Sequence, residues 1–88
     1  MRAKDICITA ARLVDRDRAD QHGDMDVVHC NIAALWSAWL DHPISAHDVA
    51  TMMELLKIAR RKTGTANTED YVDAAGYAGV AGQVRDDV

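Results

Sequence analysis

The chain has 88 residues, of which 49% are apolar and 27% charged; 14 acidic and 10 basic residues give a formal charge of −4. This length accommodates one folded domain across residues 1–88, and the composition argues against disorder. The acidic balance argues against a general nucleic-acid binder, because phosphate contacts need a basic surface. A chain this short buries roughly 60–65% of its unfolded surface, so we expect a thin core that oligomerisation supplements.

No segment approaches the ~18 apolar residues of a membrane span, and the first twenty residues lack the apolar core of a secretory signal. The only cysteines, Cys7 and Cys30, lie among apolar residues and form no CxxC pair. We therefore expect two buried thiols in a cytoplasmic protein that does not contact a membrane.

The first predicted helix runs from about Lys4 to Ala19 because its apolar residues recur on one helical face. That face consists of Ile6, Ala10, Leu13 and Val14. Gly23 is typical of a residue just beyond a helix end.

The second predicted helix begins at Asp24, whose carboxylate can accept the free amides of the first turn. It ends near Leu40, because the His42-Pro43 step opposes helix continuation. Its apolar face consists of Val28, Ile32, Leu35, Trp36 and Trp39. We expect the two tryptophans to make the largest apolar contribution in the chain.

Ser45 and Asp48 resemble a capping box at the start of the third helix. Its predicted apolar face consists of Val49, Met52, Met53 and Leu56. The helix ends in cations that suit the negative end of its dipole, and Gly64 terminates it. These cations are Lys57, Arg60, Arg61 and Lys62.

Asn67 is the predicted cap of the fourth helix, which has acidic residues in its first turn. Gly76, Gly79 and Gly82 lie inside this helix, where each glycine costs about 1 kcal/mol relative to alanine. Close approach to another helix would offset that cost. The short loops favour an all-α, up-down bundle of four helices. We expect a homodimer that uses the Gly/Ala face of the fourth helix.

Two charged residues fall on apolar faces of the predicted helices. At 100° per residue, Arg60 lies in the middle of the third helix's apolar stripe and Lys57 at its border, while Asp73 is in line with Tyr77. A buried charge needs a partner, so Arg60 and Asp73 are the natural pair. One interpretation is an ion pair that fixes helix register; a second is an anion site in which Lys57 and Arg60 face a phosphate or carboxylate. A third is a surface pair.

The histidines allow further interpretations. His22 and Asp24 flank the start of the second helix, where an anion could bind, although a helix stop followed by a cap also explains Gly23 and Asp24. His29 is expected on the helix surface or at an interface. The cysteine and histidine spacing fits no zinc site, and no common nucleotide-binding loop occurs. We expect no zinc, haem or nicotinamide cofactor.

The ordered segments AARLVDRDRADQHGD, IAALWSAWL, ISAHDVATMMELLKIARRKTG and EDYVDAAGYAGVAG cover nearly the whole chain. In this order they resemble a helical family of phage and prophage proteins that has no known function. The resemblance implies location in the cytoplasm of a bacterial host cell. It also implies a set of polar family positions, namely Arg18, His22, Gly23, Asp24, Lys57, Arg60, Asp73 and Tyr77.

The chain is more distantly similar to the all-α, MazG-like nucleoside triphosphate pyrophosphatases, which hold Mg²⁺ with acidic residues. Asp70 and Asp73 resemble the second of their two acidic motifs, whereas no ExxE motif matches the first. The resemblance implies Mg²⁺ at these two aspartates and a nucleotide phosphate at the cations.

Two hypotheses follow. The first is a nucleotide-binding protein, or a degenerate pyrophosphohydrolase with His22 as its only obvious general base. The second is a phage adaptor or inhibitor without catalysis, whose acidic surface contacts a host protein.

Overall fold

The computed structural model describes residues 1–17, 24–65 and 67–85, and these ranges contain helices and no strands. The helices are α1 (Ala3–Arg12), followed directly by a π-helical turn (Leu13–Asp17), then α2 (Met25–Leu40), α3 (Ala46–Arg60) and α4 (Thr68–Gln83). The prediction of an all-α protein with four helices is confirmed. The first helix was predicted to be regular as far as Ala19, whereas its regular α-helical part ends at Arg12 and the backbone widens into the π turn.

Each of the three predicted caps is confirmed by a hydrogen bond from a backbone amide to the cap side chain. Asp24 accepts from the amide of Asp26 at 2.8 Å, and Asn67 accepts from the amide of Glu69 at 2.9 Å. Ser45 and Asp48 form a reciprocal capping box with two 3.0 Å bonds. The Ser45 amide donates to the Asp48 carboxylate and thereby lowers the pKa of Asp48. These bonds satisfy amides that have no partner within the helix.

Helix α4 is central to the packing, because it lies against both α1 and α3, whereas α2 packs mainly against α3. A short loop joins α2 to α3. Asp41 adopts a left-handed conformation there, and the Ser37 hydroxyl bonds to both backbone groups of Ile44. At the other end of α2, the Gln83 side chain donates to Asp26 at 3.1 Å. None of the described helices has the length and apolar character needed to cross a membrane.

The core consists of small side chains. Every fully buried apolar residue in the described ranges is alanine or valine, and Val49 is the largest side chain with no measurable exposure. Several large apolar side chains are instead exposed, including Leu35, Leu40, Leu55 and Leu56. Trp39 is 87% exposed. The prediction that the tryptophans lie on a buried stripe is therefore wrong for Trp39, because the covered side of α2 is centred on His29 and Ala33, to one side of the predicted stripe.

Two further expectations about burial are wrong. Cys7 and Cys30 are exposed free thiols, because each lies just beyond the border of the buried face that contains Ala10 in α1 or Ala33 in α2. Arg60 is also exposed. Arg60 is the last residue of α3, where its side chain extends past the end of the helix, whereas Lys57 lies one turn earlier beside α4 and is only 15% exposed.

Close helix approach explains only one of the three glycines in α4. A Cβ atom at Gly76 would lie 3.3 Å from Cγ1 of Val14 in the π turn, so a side chain there would crowd the contact with the first helix. At Gly79 and Gly82, a Cβ atom would meet nothing within 4 Å. The expected packing surface is therefore confirmed at Gly76 and absent at the other two positions within the described chain.

Candidate functional site

All four helices and the π turn contribute to a cavity of about 390 Å³. Its walls are mainly aliphatic, with Val28 and Ile32 from α2, Met53 from α3 and Val80 from α4 among them. Three side chains with hydrogen-bonding groups also line it, namely His29, Asp73 and Tyr77. Small-molecule sites typically combine an apolar cavity of 300–1,000 Å³ with a few polar groups that orient the ligand. The cavity has this composition and size.

His29 is the residue of this site that the sequence reasoning missed. The expectation of a surface histidine is wrong, because the side chain is only 4% exposed. Its Nδ1 lies 3.0 Å from the carbonyl oxygen of Met25. A carbonyl only accepts, so Nδ1 is the donor in this bond, and Nε2 is the second hydrogen-bonding atom of the ring. The signal was present in the sequence, since Met25, Ala33 and Trp36 share its helical face.

Two ion pairs join α3 to α4 beside the cavity, and their partners differ from the expected Arg60–Asp73 pair. Lys57 Nζ lies 3.1 Å from Asp73 Oδ2, and both side chains are 15% exposed. Arg60 Nε lies 3.3 Å from Asp70 Oδ1, where Arg60 is 55% exposed and Asp70 only 7%. The two cations are three residues apart on α3, and the two acids are three residues apart on α4. The two ion pairs therefore lie one helical turn apart along the interface between these helices.

Only some of the other predicted ligand residues lie at the cavity. Tyr77 lines the cavity beside Asp73, whereas Asp24 is an exposed N-cap whose carboxylate binds its own helix. Arg18 and His22 lie outside the described residues, as does Gly23. The structure thus brings Lys57 and Tyr77 close to Asp73 in the middle of α4.

Asp70 and Asp73 remain the predicted Mg²⁺ ligands, one turn apart on α4. Both carboxylates already have a cationic partner. Within residues 1–17, 24–65 and 67–85 there is no group of three or more His, Cys, Asp or Glu side chains arranged to hold a metal. Mg²⁺ commonly binds one or two carboxylates and completes its shell with water and substrate phosphate. The two aspartates suit that mode and not a site formed by protein alone.

The π turn adds a local feature to the cavity wall. Leu13 and Val14 belong to the turn and line the cavity, and Val14 also packs closely against Gly76 of α4. π turns are rare and often occur at functional sites, because the extra residue changes the direction of the side chains. Here the turn directs two apolar side chains towards α4.

Comparison with known proteins assigns the chain to a family. Residues 5–85 match the family described as "Domain of unknown function (DUF6378)". The chain is 42% identical over 76 residues to the Gene 55 protein of Mycobacterium phage L5, which covers 85% of this chain and 49% of that protein. It is 38% identical over 77 residues to the Gene 55 protein of Mycobacterium phage D29, covering 88% and 51%.

The chain therefore spans about half the length of the curated relatives it matches. No solved structure matches it. The expected resemblance to a phage family without known function is confirmed: the chain is a relative of mycobacteriophage proteins and belongs to the DUF6378 family.

Proposed function

We propose that the protein binds a small phosphate-bearing ligand, with nucleotides as the leading class, in the cavity between its helices. The cavity supports this proposal, because about 390 Å³ of mainly apolar space suits a planar base and sugar. The Asp73 carboxylate can accept a hydrogen bond from such a ligand, and the Tyr77 hydroxyl can donate or accept one. The His29 ring is a further polar group of the cavity wall.

The cations beside the cavity provide the phosphate contacts in this proposal. Lys57 is held next to the cavity wall by Asp73, and its ammonium group has three donors, so it can bind phosphate and carboxylate together. Arg60 is more than half exposed, and its guanidinium has several N–H donors, so its outer nitrogens can contact a phosphate while Nε stays beside Asp70. Both cations are partly neutralised by their aspartates, which favours binding of modest affinity.

Mg²⁺ enters the proposal together with the ligand. Asp70 and Asp73 would supply carboxylate oxygens, and the metal would neutralise phosphate charge beside these acids. The proposal concerns binding. Hydrolysis in the manner of the MazG-like enzymes stays a prediction, since the candidate base His22 lies outside the described residues.

A thermal-shift series with nucleoside mono-, di- and triphosphates, with and without Mg²⁺, tests the proposal. A ligand at 100 times its dissociation constant adds about 2.7 kcal/mol to the free energy of unfolding. For a domain of this size, that corresponds to a rise in Tm of at least about 10 °C. No shift with any nucleotide would contradict the proposal.

A matched pair of variants locates the binding site. Val28→Phe places a larger side chain in the cavity wall, whereas Val27→Phe adds the same ring at an exposed neighbour that does not line the cavity. We expect Val28→Phe to remove the ligand-induced shift and Val27→Phe to retain it, with circular dichroism confirming that both fold. Equal shifts in the two variants would place the ligand elsewhere.

The alternative is an adaptor or inhibitor that contacts a host protein. The exposed apolar side chains of α2 and α3 favour this second candidate, because such groups often mark interaction surfaces. An adaptor is expected to show no change in Tm with any nucleotide and to retain one host protein from a lysate. Added nucleotide is expected not to displace that host protein.

A further inference from the structure

Helix α2 is more apolar than its packing in one chain explains. From Val27 to Leu40 it has no Asp, Glu, Lys or Arg on any face. A helix without charge on any side is typically buried on more than one side. In the structure, however, α2 packs mainly against α3, and Leu35 and Trp39 are 71% and 87% exposed.

The adjoining helix α3 also exposes apolar side chains, and these include Met52 and Leu56, which were predicted to lie on its apolar face. Met52, Leu55 and Leu56 recur at i, i+3 and i+4, and all three are exposed. This spacing is typical of a helix that packs against another helix. We call the five side chains Leu35, Trp39, Met52, Leu55 and Leu56 the hairpin apolar surface.

We propose that a second copy of this chain covers the hairpin apolar surface and forms a two-fold symmetric dimer through α2 and α3. The exposed apolar area of the hairpin apolar surface is close to what one partner contributes to a dimer interface. At roughly 200 Å² for a large apolar side chain, the exposed fractions of the five residues amount to roughly 600 Å². Each partner contributes about 800 Å² to a standard interface, so these five side chains supply most of it.

Charge favours a second copy as the occupant. The chain has a formal charge of −4, so contact between two copies through most other surfaces opposes like charges. The part of α2 from Val27 to Leu40 has no Asp, Glu, Lys or Arg, so two copies of it can meet without that repulsion. The core points the same way, since its fully buried apolar residues are only alanine and valine. Obligate homodimer interfaces resemble a domain core cut in half, and the large apolar side chains here lie outside the core.

This interface differs from the one expected at the Gly/Ala face of α4, and it lies beside the cavity. Val28 and Ile32, which line the cavity, share their helical stripe with Leu35 and Trp39. The dimer proposal needs no ligand, so its outcome is independent of the proposed function.

Light scattering coupled to size exclusion, from 1 to 100 µM of the full chain, tests the proposal. The expected mass is twice the 9.7 kDa of one chain. Leu35→Glu and Trp39→Glu are expected to weaken the dimer by at least about 30-fold, as loss of a central interface side chain does. Both residues are largely exposed in one chain, so the variants are expected to keep their helical circular dichroism spectrum.

Gly79→Glu is the matched control, because Gly79 is exposed on α4 and its Cβ position is open. We expect this variant to remain a dimer. Dissociation by Gly79→Glu and not by Trp39→Glu would place the interface on α4 and overturn the proposal. A wild-type chain that is monomeric up to 100 µM would also overturn it, and would leave the hairpin apolar surface to the adaptor function.

Discussion

Two glycines on α4 are expected to respond in opposite ways to the same substitution. Gly79 is inside the helix, and a Cβ atom there meets nothing within 4 Å. Gly79→Ala therefore gains helix propensity without a steric cost. We expect the free energy of unfolding to rise by about 0.8–1 kcal/mol, which corresponds to a rise in Tm of about 3–8 °C.

Gly76→Ala gains the same propensity but also inserts a methyl group 3.3 Å from Cγ1 of Val14. Overpacking of this kind typically costs about 1–3 kcal/mol. The net expectation is a loss of up to about 2 kcal/mol. Urea unfolding followed by circular dichroism measures both variants, and an unchanged slope would show that only stability has changed.

The double variant Val14→Ala, Gly76→Ala isolates the contact between the two helices. Removal of Cγ1 creates room for the new methyl group, so we expect a favourable coupling of at least about 0.5 kcal/mol relative to the two single variants. Gly76→Ala that stabilises the protein as much as Gly79→Ala would refute the reasoning, because Val14 would then exert no steric constraint.

Four further predictions concern charge, capping and exposure. Lys57→Met and Arg60→Met are each expected to destabilise the protein by about 1–3 kcal/mol, because each variant leaves a poorly exposed carboxylate, Asp73 or Asp70, without that cation; no loss in urea unfolding for either variant would contradict its ion pair. Ser45→Ala is expected to cost about 1 kcal/mol through loss of the N-cap. The capping box lowers the pKa of Asp48, so the ionised carboxylate stabilises the folded protein above the usual carboxyl pKa, and this stabilisation is lost as the pH falls through the lowered pKa. Asp48→Asn is therefore expected to flatten the dependence of Tm on acid pH. Both cysteines are expected to react with a thiol reagent in the native protein, and protection of either would contradict its exposure.

The helix starts could be predicted because capping is a local interaction. Asp24, Ser45 and Asn67 each bind an amide two or three residues further along the chain, so a short segment contains both partners. The end of α2 before Pro43 is local for the same reason. The π turn at Leu13–Asp17 has no comparable signal, since the same apolar spacing is compatible with a regular helix.

The candidate site could be predicted only in part. Lys57, Asp73 and Tyr77 were selected because they lie on or beside apolar stripes, and the structure brings them together. Their partners were predicted with the wrong register, since a shift of one turn between two helices changes which cation meets which acid. His29 was missed because α2 has two overlapping apolar stripes, and only the packing decides that the stripe containing His29 is covered.

By itself, the sequence determined the all-α class, the positions of the caps and the family to which the chain belongs. The all-α class and the cap positions depend on apolar spacings and hydrogen bonds between residues that are close in the sequence. Only the tertiary structure decided that Trp39 is exposed, that Lys57 and not Arg60 turns inward, and that a cavity lies between the helices. The physical reason is that an apolar stripe specifies which side of a helix seeks burial, whereas the angle and offset between helices decide how much of that stripe is covered.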